Sequence, residues 1–185
     1  MTSQYSTQNQ LLLNKLLKFY NKDNNLSKIL YIINGESKVS LRLIDWFTTN
    51  YAKKNFIVYS IDLKEGKKRF KVYVDYKLKL KAYSKRRFDP FCRWERINIP
   101  YDKDCQVQTT IGQLNFFKWA LENKILDYIR QNYEKIEADM NQRNSTARHK
   151  VVEKNKKTRK KRQELSVSAT KSIKKEDVEI IVKFN

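Results

Sequence analysis

Residues 109–140, TTIGQLNFFKWALENKILDYIRQNYEKIEADM, decide the fold. Thr110 and Gln113 have the spacing of a capping box, in which a hydroxyl and an amide each satisfy a backbone N–H that a helix start would otherwise leave orphaned. Leu114, Phe117, Leu121, Ile125, Ile129, Tyr133, Ile136 and Met140 then recur at steps of three or four. That period predicts one long apolar stripe, or two helices broken near Asn123. The stripe could form intramolecular core or a dimer seam, and core is the commoner use of an amphipathic helix.

Upstream, Leu12, Leu13, Leu16, Leu17 and Tyr20 predict a short helix, and Ser40 offers an N-cap to a second over 41–54. Residues 26–33 form a brief apolar run of ambiguous state before the turn dipeptide Asn34-Gly35. Residues 55–63 and 69–75, about a Gly66-containing turn, predict a hairpin in which Phe70, Val72 and Val74 face the core while Lys71, Tyr73 and Asp75 face out. Residues 76–87 predict helix, with Leu78 and Leu80 competing for strand, and Asp89-Pro90 ends the segment because proline restricts the residue before it to extended geometry. Residues 93–99 and 105–109 predict a second strand pair.

These elements make an α+β protein: a single compact domain of two strand pairs and three to four helices over 1–144. A basic, mostly disordered tail is expected over 145–177, where the composition cannot build a core. The alternation at 178–185 suggests a strand that docks back. The chain has 185 residues, 40% apolar and 12% aromatic, enough to offset its ordering entropy by burial. Three glycines and two prolines are few for a turn-rich sandwich or barrel.

Charge is the dominant clue to function. Forty Lys and Arg against twenty Asp and Glu give a formal charge of +20, which makes a polyanion the natural partner. No run approaches the roughly 18 apolar residues of a spanning helix, and the opening MTSQYSTQNQ is too polar for a signal peptide. Residues 77–96 carry Lys77, Lys79, Lys81, Lys85, Arg86, Arg87, Arg93 and Arg96 interleaved with aromatics. Cations that track a backbone beside rings that stack bases have this content, with Tyr83, Phe88, Phe91 and Trp94 as the stacking candidates. An ordinary basic surface over an aromatic core has it too. In the tail, Lys156, Lys157, Arg159, Lys160, Lys161 and Arg162 suit a phosphate-binding arm, a nuclear import signal or a merely solvated segment.

Catalysis finds little support. Cys92, Cys105 and the single His149 cannot assemble a four-ligand zinc set of the common Cys/His kind, and no metal site is expected. The two cysteines read as reduced, buried thiols of an intracellular compartment, with a disulfide as the alternative. There is no GxxxxGK[ST] loop, GxGxxG or CxxC, so no cofactor is expected either. A metal-dependent nuclease would require Asp75, Asp89 and Glu95 to converge.

The segments SKVSLRLIDWFTTNYAKKN (37–55), YKLKLKAYSKRRFDPFCRWERI (76–97), TTIGQLNFFKWALENKILDYI (109–129) and RKKRQELSVSATKS (159–172) resemble a family of uncharacterised proteins from giant viruses, the nucleocytoplasmic large DNA viruses. The resemblance implies a host-cytoplasmic virus factory or the virion interior, with the nucleus as a further setting. It supplies origin rather than mechanism, and two roles then suit a basic, non-enzymatic protein: the first has nucleic acid as partner, DNA ahead of RNA, in transcription or genome packing. The alternative is a minor virion or capsid-assembly protein that meets other virion proteins or a membrane surface.

Overall fold

The computed structural model describes residues 2–63, 66–92, 94–102, 105–153 and 174–177. Its chain order is α1 (Thr2–Tyr20), α2 (Asn25–Ile33), α3 (Leu41–Trp46), a π-helical turn (Phe47–Tyr51), α4 (Ala52–Lys54), β1 (Val58–Leu63), β2 (Gly66–Lys71), α5 (Val72–Tyr83), α6 (Lys85–Phe88), β3 (Arg96–Asp102), β4 (Cys105–Thr110), α7 (Ile111–Glu122), α8 (Ile125–Gln131), α9 (Tyr133–Glu153) and β5 (Lys174–Asp177). This is the α+β architecture that the periodicities predict.

The capping box forms as the spacing requires. Thr110 Oγ1 accepts from the Gln113 N–H, and Gln113 Oε1 accepts from the Thr110 N–H, both at 3.2 Å. Behind this start, α7 buries Ile111 through Phe117, Trp119 and Ala120, so it is wrapped on nearly every side. A helix apolar all round belongs at the centre of a fold, and α1, α6 and α8 close over it. Tyr20 of α1 donates its hydroxyl hydrogen bond to the Leu114 carbonyl, which lets a buried phenol reach the core without an unmet polar group. Burial in turn pushes the Tyr20 hydroxyl well above its ordinary acidity range.

The predicted stripe is broken twice rather than once. α7 ends at Asn123 and Lys124, with Lys124 left-handed at φ 54°, and α8 ends at Asn132. Ile125, Leu126, Ile129, Ile136 and Met140 are still buried, so the apolar period survives while the axis turns around the core.

β1 and β2 pair antiparallel with Val58 opposite Lys71, Tyr59 opposite Phe70 and Ser60 opposite Arg69. The second predicted strand of this hairpin ends sooner than its alternation suggests. Residues 72–75 are the first turn of α5, with Val72 buried and Val74 exposed instead of core-facing. Asp75 explains why: its carboxylate accepts the Trp119 indole N–H at 2.6 Å, and it also stands in the first turn of a helix, where negative charge meets the dipole favourably. Val72 and Tyr76, four residues apart, then share the buried face. Packing on α7 overrides the β propensity of Val-Tyr-Val.

β3 and β4 pair antiparallel, and β5 adds to the free edge of β4 with Asp177 opposite Cys105 and Lys174 opposite Gln108. The docking segment is therefore Lys174–Asp177, within the stretch expected as tail; the expected docking residues 178–185 lie outside the described residues. α9 also runs to Glu153, past the expected body boundary at 144. A helix nucleated on the body by Ile136 and Met140 extends cheaply through Ala147, Arg148 and Lys150, because propagation fixes one residue per hydrogen bond gained.

Asp139 ties α9 to α3 and α4. It accepts from the Trp46 indole at 3.1 Å and the Lys54 ammonium at 2.8 Å, with Arg143 at 4.0 Å. Burial alone would raise its carboxyl, but those hydrogen bonds and the Lys54 and Arg143 charges outweigh it and hold the group below the ordinary aspartate range. A carboxyl depressed in the folded state adds stability above its unfolded value, and that stability is lost as pH falls through the folded value. Asp139→Ala is expected to cost about 1–3 kcal/mol at neutral pH, chiefly by stranding the Trp46 N–H, since the Lys54 pair is half exposed. Thermal melts from pH 7 down to pH 2 check this: the gap between wild type and variant should narrow below about pH 4.

Candidate nucleic-acid interface

Residues 66–96 hold twelve Lys and Arg and three acids, Asp75, Asp89 and Glu95. The acids are largely spoken for. Asp75 faces Trp119, and Asp89 Oδ1 accepts the Phe91 N–H at 2.9 Å. Among the described residues no three His, Cys, Asp or Glu gather into a metal-binding group. The ion pairs of the described residues, Lys54–Asp139, Lys118–Glu122, Arg130–Asp127 and Arg143–Asp139, all lie outside this segment.

Three consecutive elements present the free cations. On β2, the side of the hairpin that carries Tyr59, Ile61 and Phe70 faces the core, so Lys67, Arg69 and Lys71 take the opposite side with Val58, Ser60 and Asp62. All three cations are exposed, and alternate residues of a strand place them about 6.6 Å apart. Lys68, paired with the buried Ile61, is exposed as well. The strand's alternation Lys67-Lys68-Arg69-Phe70-Lys71 carried this signal in the sequence, but the dense run that begins at Lys77 overshadowed it.

On α5, Val72 and Tyr76 pack inward, which leaves Val74, Lys77, Leu78 and Lys81 as one outward stripe at helical spacing. Lys77 and Lys81 are exposed and Lys79 is half-buried. Ser84, at φ 65° and ψ 165°, breaks the axis, and Lys85 and Arg86 follow exposed on α6.

The remaining candidates divide. Arg87 is half-buried and structural: Nε donates to Asn9 Oδ1 at 2.8 Å and Nη1 to Gln8 Oε1 at 3.3 Å, which fastens α6 to α1. Arg96 donates to Gln108 Oε1 across the β3–β4 pair at 2.7 Å while staying exposed. Arg93 and the tail cations Lys156, Lys157, Arg159, Lys160, Lys161 and Arg162 lie outside the described residues.

The stacking candidates fare differently from the cations. Phe88 is fully buried, ringed by Tyr76, Tyr83, Phe116 and Trp119 at centroid distances of 5.6–6.0 Å, and so cannot meet a base. Tyr83 lies flat against it, and Phe91 is half-buried. Trp94 is 38% exposed, but the Arg86 guanidinium sits over its ring at 3.7 Å, a close cation–π contact. The aromatics of this stretch are core in the main, and their job is to seat α5 and α6 on α7.

That seating demands close approach. A Cβ on Gly112 would stand 3.0 Å from the Asp89 carbonyl oxygen, 3.1 Å from that of Arg86 and 3.4 Å from the Phe88 nitrogen. These are backbone atoms that cannot swing aside, so glycine is what lets α6 lie on the first turn of α7. Asn115 secures the same junction by donating to the Arg87 carbonyl at 2.9 Å. Cys92, beside it, is a free thiol, which burial and then the Asp89 charge push up against the opposing Arg86 and Lys85 charges.

Comparison with known proteins adds kinship. A model of a family of unknown function, DUF7197, matches residues 1–183. An uncharacterised protein, L507, of Acanthamoeba polyphaga mimivirus is 46% identical over 136 residues, covering 70% of this chain and 52% of the viral protein. The chain thus spans about half the length of that relative. The likeness to giant-virus proteins holds to that extent. No solved structure matches the chain. No helix among the described residues is long and apolar enough to cross a membrane.

Proposed function

The chain belongs to this family of unknown function, and we propose that it binds nucleic acid by its phosphates through the exposed cations of β2, α5 and α6. The observation that carries the reading is the exposed, unpaired set Lys67, Arg69, Lys71, Lys77, Lys81 and Lys85 along three consecutive elements, with no described carboxylate in ion-pair range. A folded protein that gathers like charges this densely accepts self-repulsion, which a polyanion relieves. Phosphate contacts of this kind fix register and affinity without reading bases, so weak sequence preference follows. DNA ahead of RNA, a role in giant-virus transcription or genome packing, and a place in the virus factory or virion interior complete the proposal.

Titration of the full chain against duplexes of about 25 base pairs over 50–200 mM salt tests it, the affinity falling about 10³-fold if some six phosphates are neutralised. A flat salt dependence would overturn it. A second reading, a virion-assembly protein meeting an acidic partner surface, draws on Val74 and Leu78, 51% and 60% exposed on the same stripe as Lys77 and Lys81. Binding to virion proteins with a flat nucleic-acid titration would favour that reading.

A further inference from the structure

Phe56 is 85% exposed, far more than any other large apolar side chain among the described residues. Its backbone is also unusual. The helical run ends at Lys54, Asn55 caps it at φ −99°, and Phe56 follows at φ 48°, while the Ile57 N–H reaches back to the Ala52 carbonyl at 3.2 Å. This is a Schellman ending, and its left-handed position normally holds glycine or asparagine. A bulky residue there is a genuine outlier. The ring touches no other ring among the described residues, so neither packing nor turn geometry accounts for it. Folding alone would be served better by glycine. A costly conformation that exposes a ring is the kind of observation from which a function is inferred.

Its neighbours indicate which function. Lys53, exposed, precedes it by three residues; Ile57, directly after it, accepts the Val72 N–H through its carbonyl; and Val58, two residues on, stands opposite Lys71. In the chain, Phe56 therefore stands two residues before the Val58–Lys71 end of the hairpin and three after Lys53, whose ammonium lies over the Tyr73 ring at 5.7 Å. An aromatic face flanked by cations is how proteins hold an unpaired strand, with phosphates on the cations and a base on the ring. Phe56 is the most open ring among the described residues: Phe88 is buried, Tyr83 lies against it, Phe91 is half-buried, and Trp94, 38% exposed, carries the Arg86 guanidinium at 3.7 Å. A membrane is the less suitable occupant: among the outward hairpin residues only Val58, 39% exposed, is apolar, and the rest are polar or charged.

We infer that Phe56 is the base-contacting residue of the interface, stacking on an unpaired base of a single strand or of a locally opened duplex. The inference rests on the nucleic-acid reading above and adds to it a preference for unpaired substrate.

The test uses the full chain, its Phe56→Gly and Phe56→Trp variants, single strands carrying one 2-aminopurine, duplexes of equal length and vesicles containing phosphatidylserine. Glycine suits the left-handed position, so Phe56→Gly should melt at or above the wild-type temperature. Wild type should quench 2-aminopurine in the single strand. Phe56→Gly should lose that quench and about ten-fold in single-strand affinity with the salt slope unchanged, duplex binding staying within about two-fold, and Phe56→Trp should restore both. Single-strand affinity and quench unaltered in Phe56→Gly would overturn the inference and leave the proposed function standing. Failure of wild type to bind any nucleic acid would overturn both. Vesicle binding that depends on Phe56, with nucleic-acid binding indifferent to it, would assign the ring to lipid and overturn the inference alone.

Discussion

Phe88→Ala is expected to destabilise the protein by about 3–5 kcal/mol, the usual cost of emptying a buried phenylalanine site, and to lower the melting temperature by roughly 10–15 °C. The ring has no exposure and meets Tyr76, Tyr83, Phe116 and Trp119, three of them edge-on or tilted, the geometry aromatic quadrupoles favour. These partners come from α5 and α7, so the cavity would open where the basic elements are anchored. The site can hardly collapse, because the α6 backbone already lies as close to Gly112 as a missing Cβ permits. Calorimetry or chemical denaturation gives the stability, and binding by the folded fraction separates two roles. A core residue predicts lost stability with an unchanged salt slope. A variant that melts like wild type but binds nucleic acid poorly would return Phe88 to the role of a stacking base contact.

Phe88 also marks where reading a sequence stops. The capping box at Thr110 and Gln113 was legible because its determinants lie within four residues. So were the hairpin, the second strand pair and the end at Asp89-Pro90. Whether an aromatic between lysines points in or out is decided by another element, here α7, and no local pattern contains it. Residues 72–75 failed in the same way: their alternation suits a strand, while the Trp119 indole that fixes Asp75 on a helix is 44 residues away. Arg87 looked like one more surface cation, yet Asn9 and Gln8 claim it across 78 and 79 residues. Phe56 was invisible because its conformation is set by how the preceding helix ends. By contrast, the outward side of β2 could have been read from its alternating cations once Phe70 was placed inward.

Those β2 cations give the largest expected change in binding. Replacing Lys67, Arg69 and Lys71 together by glutamine should leave the melting temperature nearly unchanged, since all three are exposed and without a described ion pair. If each neutralises one phosphate, the slope of log K against log salt should fall in magnitude by about 2.7 on duplex DNA, with affinity lower by about 10²- to 10³-fold at 0.1 M salt. Glutamine keeps a polar, hydrogen-bonding end on a shorter stem, so the main change is the loss of charge. The more obvious choice, altering Lys85, Arg86 and Arg87, would confuse the result. Arg87 holds α6 to α1, and Arg86 covers Trp94, so losses there mix packing with binding. An unchanged slope in the β2 variant would move the phosphate contacts to Lys77, Lys81 and Lys85, or to the cations at 156–162. A slope reduced by the full amount would make the hairpin the primary phosphate rail, with α5 and α6 continuing it.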